Sequence, residues 1–323
     1  MRLCVAGLWV CLFGCAGSPH EALTYTEVWE LLVVTGDGGV VDAKVEVGNR
    51  GVLRGQGHVS VDHWPLQGDP VQYSRWSAPI ATRRSADGRQ VTLDTDVLGS
   101  TGELVEIWRL RARSDDANAV LQVSSRLPAV PAATEQVGGG QWSVGAPVGS
   151  GSVQGWIEAG ERGGRLFGHG LVLRRGGDGL AGSERRTVAV VGDGVSIGVD
   201  EHGPVRLAWA RINGQTLDVS DAQITHYAGE VGIDLRPGAD LVVAVTPTGA
   251  GGRTASSADL TSPERIFVDT LLSPPDRLVL GAKARVTYAG DTFEYAALVV
   301  WEDDRSIDVR TRRAPSPAQR GRR

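Results

Sequence analysis

The chain is poor in cysteine, lysine and long apolar runs, and each shortage excludes something. All three cysteines, Cys4, Cys11 and Cys15, fall within the first fifteen residues, so the rest of the chain has no disulfide, thiolate nucleophile or cysteine-based zinc site. Only Lys44 and Lys283 are lysines among 33 basic residues; this arginine bias fits a GC-rich genome and is assigned no function. No apolar run approaches the roughly 20 residues of a spanning helix; the one at Leu3 to Phe13 is about eleven residues long. A phosphate loop, a dinucleotide fingerprint, a Gly-x-Ser-x-Gly elbow, HExxH and an EF-hand loop are all missing. No cofactor is therefore expected.

Glycine is abundant, with 44 glycines and 15 prolines in 323 residues and no collagen-like period, which favours many turns and hence many strands. The opening MRLCVAGLWVCLFGC has Arg2 as its positive end, an apolar run and then Gly14-Cys15, the layout of a secretory signal. Leu12-Phe13-Gly14-Cys15 resembles a bacterial lipobox, in which the Cys15 thiol takes a diacylglyceryl group and becomes the new N-terminus. A plain secreted leader is the alternative. Three acyl chains would anchor the protein stably, and Ala16-Gly17 offers no inner-membrane retention aspartate, so the expected location is the outer membrane. Residues 1–14 are then signal and 15–22 tether.

Setting aside Arg2 and six arginines at the C-terminal end leaves 26 basic against 38 acidic residues, a balance of −12 for the body. Such a body repels phosphate backbones, so nucleic acid is excluded as a partner. The tail over 310–323, TRRAPSPAQRGRR with the preceding arginine, is too polar to pack and is expected to be disordered.

From Leu23 onward apolar residues alternate with polar ones between Gly- or Asp-containing turns, the mark of antiparallel strands with one buried face. Val41, Ala43, Val45 and Val47 alternate with Asp42, Lys44 and Glu46. Asn213-Gly214, after the alternating Val205, Leu207 and Trp209, is a strong hairpin signal. The stretch from Leu127 to Ser152 concentrates Pro, Gly, Ala and Ser without a period and is expected to connect two halves. Gly249 to Ala258 is expected to be an exposed loop. The reading is all-β, with tandem antiparallel barrels or sandwiches over 23–150 and 151–309, closure being how long sheets avoid exposed edges.

His58, Asp62 and His63 cluster in sequence, but on a strand His58 and Asp62 share a face while His63 points away, so no metal site is expected. Glu158 in GWIEAG and His169 in RLFGHGLVL fall on neighbouring segments and are the candidate acid/base pair across a barrel mouth; two separately solvated residues are the plainer alternative. Asp303 and Asp304 are assigned no role. Of nine tryptophans, most belong in cores, and Trp29, Trp76, Trp108, Trp156 and Trp209 are the candidates to line a ligand cavity.

Thr24-Tyr25-Thr26-Glu27-Val28-Trp29-Glu30, followed by Leu31 to Gly38 and then Val45-Glu46-Val47-Gly48-Asn49-Arg50-Gly51, resembles the opening of the two-domain lipocalin-like proteins. That group includes the fungal survival-factor, AttH-like and carotenoid hydratase families. Trp76-Ser77-Ala78-Pro79 and Gly168-His169-Gly170 fall where such proteins carry an aromatic-small stretch and a Gly-x-Gly strand. The resemblance spans about residues 23 to 175. It implies paired calycin-like barrels able to hold a fatty acid, sphingolipid or isoprenoid. Where the family often has a polar His/Trp/Gly cluster, this chain has Leu171-Val172-Leu173-Arg174-Arg175, a departure that counts against hydratase activity. The leading expectation is a lipid-anchored envelope protein that binds or carries a hydrophobic small molecule. An isomerase-like or carotenoid-hydratase-like enzyme on the same scaffold is the first alternative, and an envelope assembly or glycan-binding module the second.

Overall fold

The computed structural model describes residues 25–50, 53–77, 81–84, 90–94, 98–103, 107–113, 117–137, 140–159, 161–178, 184–227, 230–234, 241–254 and 276–303. The lipidation site Cys15, the tether and the tail over 310–323 lie outside the described residues.

Those residues form 21 strands and no helix. The first sheet begins with β1 (Thr26–Thr35), β2 (Val40–Arg50), β3 (Leu53–Trp64) and β4 (Val71–Ser77). β5 (Ala81–Arg84), β6 (Gln90–Asp94), β7 (Leu98–Glu103), β8 (Ile107–Arg113) and β9 (Ala117–Ser124) continue it. β10 (Val130–Val137), β11 (Gly140–Ala159) and β12 (Arg162–Gly177) complete it. Its order is β4-β3-β2-β1-β12-β11-β9-β8-β7-β6-β5, with β10 beside β11. The second sheet holds β13 (Arg185–Gly192), β14 (Val195–His202), β15 (Val205–Ile212), β16 (Gln215–Leu217) and β17 (Gln223–Tyr227). It also holds β18 (Glu230–Asp234), β19 (Leu241–Thr254), β20 (Asp276–Tyr288) and β21 (Asp291–Asp303), in the order β16-β15-β14-β13-β21-β20-β19-β18-β17. The expected all-β architecture of two antiparallel units is what the chain adopts.

Sheet membership changes between Gly177 and Arg185, not at 150/151, because β12 pairs with β1 along its length, from Thr26↔Gly177 to Thr35↔Gly168. Within the Pro- and Gly-rich stretch expected to be a connection, residues 130–137 and 140–152 are strand, β10 and the first half of β11. Its small residues allow close approach. A Cβ on Gly151 would stand 2.6 Å from the Ser124 carbonyl, and one on Gly149 the same distance from Ser196 Oγ of the second sheet. The expected loop from Gly249 is likewise β19 as far as Thr254, with a register shift between Pro247 and Gly251. Gly252 there lies against the Trp64 indole of the first sheet, where a side chain would collide.

Three apolar layers result. Trp29, Leu31, Val33, Val41, Val45 and Trp108 are among those filling the first unit. Val188, Val190, Ile197, Val199 and Val243 are among those filling the second. Between the units, Leu32, Val34, Val40, Leu171 and Leu173 of one sheet pack on Ala189, Val191, Leu298 and Val300 of the other. β1 thus buries both faces: its odd residues point into the first unit and its even residues into the junction. The Asp193-Gly194 and Asn213-Gly214 turns close two-residue hairpins, Asn213 at φ 50° and Gly214 at φ 80°, as a type I′ turn requires.

Candidate functional site

Two polar constellations flank β1. The first is inside the first unit. Trp29 and Trp108 stack with ring centroids 4.7 Å apart and planes tilted by 32°. With Glu30, Leu31, Val45, Leu110 and Val172 they line a mainly apolar slot of about 20 Å³, room for about one water molecule. A polar cluster adjoins Trp29. Arg174 of β12 donates from Nε to Glu27 Oε1 at 2.8 Å, and its guanidinium lies 5.1 Å from the Trp29 ring centroid. The Tyr25 hydroxyl donates to Glu27 Oε2 at 3.2 Å. Burial and the neighbouring Glu27 carboxylate push the Tyr25 hydroxyl well above its ordinary pKa. Indole faces thus line the slot, and a buried carboxylate held by a guanidinium, with a hydroxyl that stays protonated, adjoins Trp29.

The second constellation is in the junction. Glu30, 1% exposed, stands opposite three guanidiniums: Arg175 of its own sheet, and Arg185 and Arg277 of the other. Arg185 Nη2 meets Glu30 Oε2 at 2.6 Å, while its Nε meets Asp200 and its Nη1 meets Glu302, both at 3.2 Å. Arg277 Nε donates to Asp42 Oδ2 at 2.8 Å and also bonds Glu302. Asp200 is buried and Glu302 largely so, which by itself would raise their pKa, but the guanidiniums outweigh burial and hold both carboxyls below their ordinary range. Asp42 goes the other way, up to about 7, because burial and the adjacent Asp62 carboxylate outweigh the cations it shares with other acids. Burial, with Arg175 next, takes His202 down to about 4; its ring stands edge-on to Trp142 at 5.1 Å.

The residues singled out from sequence divide accordingly. Trp29 and Trp108 meet in the slot. Trp209 is buried in the junction, its Nε1 donating to Ser196 Oγ at 2.9 Å. Trp156 is 39% exposed on the outer face of the first sheet. Trp76 pairs in register with His58 on β4 and β3; its side chain lies outside the described residues. Glu158 and His169 are not brought together. Glu158 pairs with Gly163 and His169 with Ser152, six register positions or about 20 Å apart along the strands, and Glu158 is exposed. Asp62 and His63 fall on opposite faces, and no cluster of three or more His, Cys, Asp or Glu suited to a metal occurs among the described residues. Glu27, Glu30, Arg174 and Arg175 were missed. The signal was Arg174-Arg175 itself, two consecutive arginines inside an apolar strand, which strand geometry sends to opposite faces: one to the slot, one to the junction.

No family model matches the sequence, and no curated protein matches it. Solved structures do. CghA, solved with Sch210972, is 9% identical, with a TM-score of 0.61 over 87% of this chain and 88% of CghA. A putative AttH from Nitrosomonas europaea is 11% identical, with a TM-score of 0.54 over 94% of this chain and 99% of that one. Kievitone hydratase from Nectria haematococca is 12% identical, with a TM-score of 0.53 over 90% and 93%. The departure at Leu171 to Arg175 leaves the backbone plan intact, and this chain has the two-domain lipocalin-like fold that the AttH-like protein and kievitone hydratase share.

Proposed function

We propose that the chain is an enzyme acting on an apolar, unsaturated small molecule, adding water to it or moving its double bond, with the Trp29–Trp108 slot as the place of reaction. The observation that carries the reading is the carboxylate of Glu27 held by Arg174 and Tyr25 beside two indole faces. Indole faces attract cationic character, as the Arg174 guanidinium over Trp29 illustrates, so they stabilise positive charge developing on a substrate carbon. Glu27, protonated from solvent, gives its proton to one alkene carbon and takes one back, from the attacking water in hydration or from the neighbouring carbon in double-bond migration; Arg174 orients it, and the apolar walls exclude stray water. A hydratase and a CghA complex on the same scaffold support catalysis over storage.

The test is incubation of the protein in H₂¹⁸O with unsaturated fatty acids and acyclic isoprenoids, read by mass spectrometry for a gain of labelled water or a shifted double bond. Glu27→Gln is expected to lower turnover about 10²- to 10⁴-fold while the protein stays folded; undiminished turnover in that variant overturns the assignment. A second reading, a glycan-binding module, draws on Trp156 and on Phe167, 61% exposed, which are diagonal neighbours on the outer face. Trp156→Ala would abolish polysaccharide retention on that reading and leave turnover unchanged.

A further inference from the structure

Where the two units meet at β10 and β15, both strands keep an uncovered edge. β10 bonds only to β11 and is exposed along most of its length. β15 bonds to β14 on one side, while on the other β16 covers only Ala210, Arg211 and Ile212. Residues 205–209 therefore present outward backbone N–H and C=O groups with no strand partner among the described residues, a ready template for another strand. The two edges are joined at one end, where Arg211 donates to the carbonyls of Pro128 and, at 3.2 Å, Ala129. Beyond that pin they enclose an open groove of about 440 Å³. Ala133, Leu207 and Ala208 give it apolar walls, and Glu135 and Ser220 polar ones. The charge around it is acidic. Glu201 stands 3.6 Å from Arg206, Asp218 accepts from the Ser220 N–H at 3.2 Å, and Asp221 follows, exposed like Asp218 and Glu135.

We propose that residues 306–312 of this chain, just beyond β21, add as a strand to the uncovered edge of β15 and fill this groove. The segment has the right pattern: Ile307, Val309 and Thr311 alternate with Asp308, Arg310 and Arg312, which as a strand gives one face for the apolar walls and one charged face. Residues 313–323 carry no such alternation. The segment is also within reach. Glu302 is opposite Arg185, Arg185 opposite His202 and His202 opposite Val205, so the end of β21 lies three strand spacings, about 14 Å, from the start of the free edge. Four extended residues span about 14 Å, which brings Ile307 to Val205. The charge matches as well: after Asp303 the chain carries seven arginines and two aspartates, opposite the carboxylates of Glu135, Glu201, Asp218 and Asp221. Strand addition supplies the backbone partners that the edge lacks and closes it to other chains.

The experiment is amide hydrogen exchange, read by mass spectrometry, on the full chain, on the full chain with Val309→Pro, and on a chain ending at Arg305. No substrate is involved, so the outcome is independent of whether the slot is catalytic. Amides of residues 132–136 and 205–209 are expected to exchange about ten-fold more slowly in the full chain than in either variant, with β1 and β13 exchanging alike in all three. A synthetic peptide of residues 304–314, added to the chain ending at Arg305, should restore the protection; the same peptide with Arg310→Glu and Arg312→Glu should not. Equal exchange at the two edges in all three proteins, or protection that the peptide does not restore, overturns the proposal. So does a difference spread equally over β1 and β13, which would make the segment a contributor to global stability and not an added strand. Protection that rises with protein concentration would place a second copy of the chain in the groove and overturns it too.

Discussion

Arg185 shows how much rests on one side chain. It is fully buried at 0% exposure and contacts Glu30, Asp200 and Glu302. Removing one partner from a buried network leaves the others charged in a medium that cannot solvate them, at about 3 to 5 kcal/mol. Arg185→Met is expected to lose that much in urea unfolding, whereas Arg162→Met, breaking a solvent-exposed pair with Asp69, should lose at most about 1 kcal/mol. An equal loss in the two variants would mean that the junction charges are individually expendable. Trp29 and Trp108 belong to the same scale: the sequence marked them as cavity candidates by their type and strand position. Nothing in the local pattern distinguished them from Trp209, which packs against Gly198 and Ser196 in the junction, or from the exposed Trp156.

At the scale of the strand, alternation identifies elements well and their neighbours poorly. Val41, Ala43 and Val45 do line one interior, but the polar residues between them, read as a solvent face, include Asp42 in the junction. The strand is buried on both sides because a second sheet covers it, a fact with no signature in period-2 spacing. The small-residue stretch from Leu127 to Ser152 misled for a related reason: glycine marks close backbone approach as readily as it marks a linker, and here β11 is pressed between β9, β12 and the second sheet. Two substitutions test these placements. Gly252→Val would push against the Trp64 indole and should cost about 1 to 3 kcal/mol by thermal unfolding. Asn213→Val, at φ 50° in the β15–β16 turn, should cost about 1 to 3 kcal/mol; a neutral result at either site would show that the neighbouring backbone gives way freely.

Across the whole molecule the three charge effects set a stability profile in pH. Asp200 and Glu302 are depressed in the folded protein, so their contribution is present above the ordinary carboxylate range, about 4, and disappears as pH falls below it. His202, held neutral down to about 4 against an ordinary value of 6.5, withdraws stability as pH falls from 6.5 toward 4. Asp42 works in the opposite sense, withdrawing stability as pH rises toward 7. The expected curve of Tm against pH is a dome, and His202→Asn should extend its acid side by removing the loss between 6.5 and 4. A curve identical to wild type in that interval would show that His202 is not desolvated in solution.

What the sequence determined by itself is the strand content, the hairpin turns at glycine and Asn-Gly, and the two-unit plan, because these follow from periodicity and local backbone preference acting over a few residues. Only the tertiary structure decided that β12 returns to pair with β1, that Glu158 and His169 stand about 20 Å apart while Glu27 and Arg174 meet, and that Glu30 meets Arg175, Arg185 and Arg277 in the junction. Glu27 and Arg174 are 147 residues apart along the chain, and a contact of that span depends on sheet order and register, which local pattern does not encode.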